Sequence, residues 1–137
     1  MAGKILLEVV TPEKQLLSQE VDEVIAPGSE GEFGVLPGHC HFLSTLRIGE
    51  LRYRVGDRTN HMAILWGYAE VTPQKVTVMA EIAEKADDID VERAQAALAK
   101  AEHRLKAGGL PSEVKEAEIS LEKARLRMKL AQRARKS

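Results

Sequence analysis

The chain has 137 residues, one cysteine (Cys40) and few aromatic side chains, namely one Trp, two Tyr and two Phe. A single cysteine excludes an internal disulfide and fits a reducing compartment. Scarce aromatics require an aliphatic core. They also remove the stacking platforms with which nucleic-acid modules hold bases, so nucleic acid is not an expected partner. No apolar run approaches the ~20 residues needed to cross a bilayer. The N-terminus, Met1-Ala-Gly-Lys4, lacks the apolar stretch of a signal peptide, and the expectation is a cytoplasmic chain. The glycines between 28 and 34 are not followed by the Gly-Lys-Ser/Thr ending of a phosphate-binding loop. They read as tight turns between strands. His39 and His41 would share one face of a strand, but His61 and His103 stand alone and nothing completes a zinc site. Ser/His/Asp, Cys/His and paired-carboxylate sets are missing as well. The residues therefore point to a non-enzyme with no catalytic residue, no metal and no required cofactor.

What is present divides at residue 86. The overall charge is −1. Residues 1–86 carry 8 Lys+Arg against 12 Asp+Glu, a net of −4, whereas residues 113–137 carry 8 against 4. An acidic body with a basic tail suggests an acidic partner. Short β-branched runs fill the first part: 4–10, 15–18, 21–26, 40–46, 51–55, 61–66, 68–72 and 76–79. Turn signals separate them every 8–12 residues, with Gly67 placed for a bulge or close approach. Without an intervening helix, this argues an antiparallel β-sandwich or barrel over residues 1–86.

From Val91 the period changes. Val91, Ala94, Leu98, Ala101 and Leu105 are spaced 3, 4, 3, 4, and Val114, Ala117, Leu121, Ala124, Met128 and Ala131 repeat the pattern. Gly108-Gly109 ends the first helix and Ser112 is the expected N-cap of the second. Residues 87–137 thus read as an antiparallel two-helix hairpin, and the fold class as α+β. The seam is rich in alanine, so it buries little area at ~25 cal/mol per Å² and holds weakly. Leu126 and Leu130 form a second stripe off it. At the junction, Asp87 and Asp88 are expected to cap the first helix, with Asp90 and Glu92 in its first turn. Seven Lys+Arg lie between Lys123 and Lys136, and Arg125, Lys129 and Arg133 recur along one face. The bulky apolar residues of a membrane-surface helix are absent there. An acidic protein segment or a nucleotide phosphate remains as the complement of that face.

Three stretches carry a family resemblance: Gly28-Ser-Glu-Gly-Glu-Phe-Gly-Val-Leu-Pro-Gly-His39, then Trp66-Gly-Tyr-Ala-Glu-Val-Thr-Pro73 with Val76-Thr-Val-Met79, and Ile89-Asp90-Val91-Glu92-Arg93-Ala94. With the order of modules, they make the chain resemble the epsilon subunit of bacterial F-type ATP synthase along its whole length. Trp66 departs from the small residue more usual there. The resemblance implies a non-catalytic rotor subunit of a proton-translocating synthase, peripheral on the cytoplasmic face of the bacterial plasma membrane, touching membrane only through the complex. It implies that the sandwich binds the gamma subunit and the c-ring, with Glu30 and Glu32 facing the ring and His39 near gamma. It implies a hairpin that extends beside the alpha and beta subunits and blocks hydrolysis, with Arg125, Lys129 and Arg133 against beta. The junction is similar to the motif with which some epsilon subunits bind ATP as a regulatory ligand. Arg93, Lys123 and Arg127 would then meet the phosphates, and Glu84, Ile89 and Asp90 the base and ribose.

Overall fold

The computed structural model describes residues 3–38 and 41–136; His39 and Cys40, with the expectations placed on them, lie outside these. The chain forms two compact units, residues 1–85 and 86–137.

The first unit is a β-sandwich of eight strands: β1 (Ile5–Val10), β2 (Gln15–Val21), β3 (Glu23–Gly28), β4 (Gly31–Val35), β5 (Phe42–Leu46), β6 (Gly49–Val55), β7 (Arg58–Val71) and β8 (Lys75–Lys85). Strands run in the order β2-β1-β8-β7-β5-β3-β4, with β6 between β3 and β7. Pairing is antiparallel except for β1 with β8, which run parallel from Leu6↔Lys75 to Val10↔Met79. Alternation does what the pattern demands: Ile5, Leu7 and Val9 point into the core with Val24, Leu51, Tyr53, Val76 and Val78, and Phe33 packs edge-on against Phe42 with ring centroids 5.0 Å apart.

Three readings of this unit are corrected. Residues 28–34 are not all turn, because Gly31–Val35 pair with β3 and only Ser29 and Glu30 lie between Gly28 and Gly31. Runs 61–66 and 68–72 are one strand. Its first part pairs with β6 and its last part with β5, and the change falls at Trp66 (φ 59°) and Gly67 (φ 150°). A Cβ on Gly67 would lie 2.1 Å from the Met79 carbonyl oxygen, so this crossing admits only glycine. Finally, β8 runs six residues beyond Met79. Its Ala80-Glu-Ile-Ala-Glu-Lys85 has weak strand propensity and is held by pairing with Met62–Gly67.

The second unit opens with a one-turn 3₁₀ helix (Ala86–Asp88), followed by α1 (Val91–Ala107) and α2 (Pro111–Lys136). The caps differ from expectation. Asp87 and Asp88 sit in the 3₁₀ turn, and Asp90 itself caps α1, its Oδ1 accepting from the Arg93 backbone N–H at 3.1 Å. Ser112 is not the second cap. Leu110 takes that place, its carbonyl accepting from Val114 N–H at 3.0 Å, because Pro111 already has the φ of a first helical residue. Glu113 then reaches back to accept the Leu110 N–H at 3.0 Å. At the other end Gly108 (φ 72°) donates its N–H to the Arg104 and Leu105 carbonyls. An ion pair spans the hairpin, Arg104–Glu116 at 3.6 Å.

Burial sharpens the seam. Ala94, Ala101, Ala117, Ala124 and Ala131 are buried. The larger seam residues Leu98, Leu105, Leu121 and Met128 are only half-buried, while Leu130, placed off the seam by its spacing, is fully buried.

Candidate functional site

The junction residues fall in the two units. Glu84 is a half-buried residue of β8, opposite Ala63 in the sandwich. Ile89, Asp90, Arg93, Lys123 and Arg127 belong to the helical unit. There the antiparallel hairpin returns the end of α2 to the start of α1 and leaves a cavity of about 200 Å³. Ala86, Asp87, Ile89, Val91, Ala131 and Ala134 line it. Ile89 is thus part of a wall, and its N–H donates to the Ala86 carbonyl at 3.4 Å. Asp90 spends one carboxylate oxygen on the cap, which fixes its side chain beside the first turn. The Arg93 guanidinium is exposed and makes no ion pair among the described residues. An Asp90–Arg93 side-chain pair, the simplest reading of their spacing, is not found among the described residues; the Asp90 carboxylate takes the Arg93 backbone N–H. Arg127 lies four residues before Ala131, one helical turn from the cavity wall, and Lys123 lies a further turn away. Both are half-buried and engaged in interactions of their own. Arg93 follows the lining residue Val91 by two positions, and the cavity lining mixes Asp87 with apolar side chains.

The cavity was not legible from spacing alone. Val91 and Ala131 of its lining are residues that a periodicity argument assigns to the seam, and the 3₁₀ turn that closes it gives no repeat. Among the described residues, no group of three or more His, Cys, Asp or Glu could hold a metal ion.

The second candidate surface is on the sandwich. Glu30 stands exposed in the β3–β4 turn, which is held by Ser29 N–H donating to the Thr45 carbonyl at 2.9 Å and by Thr45 Oγ1 to Ser29 Oγ at 2.8 Å. Glu32, one residue into β4, is paired with Arg52 at 3.2 Å. A separate open hollow of about 340 Å³ on the sandwich lies over Val10, Gly67, Tyr68 and Met79, with Tyr68 46% exposed and Leu43, on the neighbouring β5, 68% exposed. The strand alternation contained this apolar face, since Tyr68 and Leu43 fall opposite to core positions, but nothing in composition singled it out.

The third is the basic face of α2. Arg125 and Lys129 are exposed and Arg133 is half-buried with a partner of its own. Among the described residues no helix is long and apolar enough to cross a membrane.

Comparison with known proteins matches both units. Residues 4–86 fit the model of the ATP synthase delta/epsilon chain β-sandwich domain, and residues 87–132 that of the delta/epsilon chain long α-helix domain. The chain is 53% identical over 133 residues to the ATP synthase epsilon chain of Syntrophobacter fumaroxidans, covering 97% of this chain and 99% of that one. It is 54% identical over 137 residues to that of Citrifermentans bemidjiense, covering 98% of each. Among solved structures it is similar to a chain of the Euglena gracilis mitochondrial ATP synthase, with a TM-score of 0.79 at 26% identity, covering 89% of this chain and 78% of that one. A chain in the central stalk and c-ring structure of the Tetrahymena thermophila mitochondrial synthase shares the fold alone, at TM-score 0.59 and 15% identity.

Proposed function

We propose, since the chain belongs to the ATP synthase delta/epsilon chain family, that it is the non-catalytic central-stalk subunit that couples catalysis to c-ring rotation and restrains ATP hydrolysis through a movable hairpin. The sandwich docks on gamma and on the polar loops of the c-ring, with Glu30, Glu32 and His39 on that side and the exposed Tyr68–Leu43 face available to gamma. The hairpin is the regulatory part. Folded, it leaves the catalytic subunits free. Extended beside alpha and beta, it blocks hydrolysis, with Arg125, Lys129 and Arg133 against an acidic segment of beta. The complex holds the subunit peripherally at the cytoplasmic face of the bacterial plasma membrane.

The observation that carries this reading is the seam. Its buried side chains are mostly alanines, each worth about 0.8 kcal/mol of methyl burial. Such a contact is small enough for a modest bias to open. ATP is the bias proposed here. Arg93, Arg127 and Lys123 supply charge for its phosphates, while Ile89 and Asp90, with Glu84, take the base and ribose side. A ligand that binds only the folded hairpin at ten times its dissociation constant stabilises it by about 1.4 kcal/mol, a tenfold shift.

The deciding assay compares ATP hydrolysis by the reconstituted complex with the full chain and with a form ending at Lys85. Relief of inhibition by the truncated form is expected, and equal hydrolysis would remove the regulatory role. Calorimetry on the full chain tests the ligand. Heat with millimolar ATP that is lost in Arg93→Ala is expected, and no heat, or equal heat from both proteins, reduces the motif to a helix cap.

A further inference from the structure

Glu50 is a buried charged residue that the proposed function does not use; only 3% of its side chain is exposed. It is held on two sides. Arg52 Nη1 donates to its Oε1 at 2.9 Å, and His61 Nδ1 lies 2.8 Å from its Oε2. An ionised carboxylate only accepts, so the imidazole donates here. Arg52 does not stop at Glu50. Its Nη2 reaches Glu32 Oε1 at 3.2 Å and its Nη1 reaches Glu32 Oε2 at 3.3 Å, a two-bond fork. Register explains the meeting. Arg52 lies opposite Ile25 of β3 and His61 of β7, while Glu32 lies opposite Pro27, two residues along β3 on the same face. Both carboxylates hold the Arg52 guanidinium above its ordinary pKa, the Glu50 hydrogen bond contributing most.

We propose that Glu50 is a positioning residue: it fixes Arg52 so that the guanidinium clamps Glu32 and sets the place of the β3–β4 hairpin's carboxylate toward its partner. The identity of that partner, the c-ring loops, rests on the function proposed above, but the clamp itself does not. A long exposed arginine loses rotamer freedom when it pairs, so an exposed Arg–Glu contact alone contributes little. Anchoring Nη1 on a buried carboxylate removes that freedom beforehand, and the Nη1–Nη2 edge then grips Glu32 at little further cost. Arginine is required for this, since a lysine ammonium has no fork to share between two carboxylates.

The experiment uses the full chain and hydrogen exchange, segment by segment. Glu50→Gln keeps the shape and removes the charge. Arg52→Lys keeps the charge and removes the fork, and it serves if Glu50→Gln does not fold. Either variant is expected to speed exchange in Gly31–Val35 roughly tenfold while Ile5–Val10 stays within about threefold of wild type, a tenfold change corresponding to about 1.4 kcal/mol. Unchanged exchange in Gly31–Val35 overturns the proposal. So does a rise spread evenly over β1 and β4, which means that the pair supports only the whole sandwich. In the reconstituted complex, a cysteine placed by Glu30→Cys in a Cys40→Ser background is tested for cross-linking to the c-ring loops. A cross-link weakened by Glu50→Gln supports the positioning. No cross-link without Glu50→Gln refutes the ring-facing reading, and the clamp then stands or falls on exchange alone.

Discussion

Leucine in place of Ala117 tests the hairpin most directly. Ala117 is 0% exposed and Ala101, in the seam of α1, is 1% exposed, so neither position has room for three more carbons. The interior of a packed contact is as dense as an organic crystal, and inserting methylenes there typically costs 1–3 kcal/mol. The five buried alanines contribute on the order of 4 kcal/mol by methyl burial, so one such change removes a large share of what holds the helices together. Ala117→Leu should therefore raise the open population of the hairpin roughly 5- to 150-fold. Hydrogen exchange alone does not report this, because helices can separate without unwinding. A pair of spin labels at the exposed positions Ala96 and Glu122 reads the separation instead. In the reconstituted complex the same variant should strengthen inhibition of hydrolysis. Leu98→Ala is the control, since Leu98 is only half-buried and the change should cost about 1 kcal/mol without overpacking. Label distances identical in Ala117→Leu and wild type would refute the claim that an alanine contact holds the hairpin.

Truncation after Lys85 should leave a folded sandwich with wild-type exchange protection in Ile5–Val10, as expected of a unit with its own core; an unfolded fragment would end the two-unit reading. Gly67→Ala should destabilise the sandwich by several kcal/mol in urea unfolding, because its methyl would meet the Met79 carbonyl at 2.1 Å. Asp22 has a lowered pKa, first through the Lys4 hydrogen bond at 2.7 Å and then through the Gly56 N–H at 2.7 Å. Its contribution to stability should be complete above the unfolded-chain value of about 3.9 and decline as pH falls through the lower folded value, and Asp22→Asn should flatten that part of the acid-unfolding curve. Neutralising Arg125, Lys129 and Arg133 together should relieve inhibition of hydrolysis more than any single change, because neighbouring interface charges act jointly; unchanged hydrolysis would assign them to solubility.

The fold class was legible because two periods dominate the chain. Alternation in Ile5–Val9 and Leu51–Val55 and the 3, 4 spacing from Val91 each leave few other structures. What escaped was set by distant partners. Ala80–Lys85 is strand only because Met62–Gly67 lies beside it, and the parallel placing of β1 against β8 has no local signature. The caps were misplaced by two or three residues, at α1 because four acidic residues, Asp87, Asp88, Asp90 and Glu92, compete for one helix start. Asp90 wins by being the last with extended backbone, at φ −79° and ψ 103°. At the candidate sites, Arg93 and Glu32 were visible as chemistry, but Glu50 was not. In the sequence it is one more charge in a charged chain, and only burial separates it from the other acids.

The caps bear on how the hairpin can move. Three of the helix ends are closed by their own residues: Asp90 by the Arg93 N–H, Leu110 by Glu113, and the end of α1 by Gly108. None of these bonds crosses from one helix to the other. Separation of α1 from α2 therefore breaks none of these closures, while it forfeits the lateral packing of the seam and the exposed Arg104–Glu116 pair. The two sequences are also rich in Ala, Glu, Lys and Leu, which keep helical propensity without a partner. The cost of opening then includes the lateral contact, offset by hydration of side chains already half exposed. A hairpin tied by interhelical caps would have to melt before it could extend. This one can part along its seam with both helices intact, and that is the property a rod needs if it is to reach along a stalk.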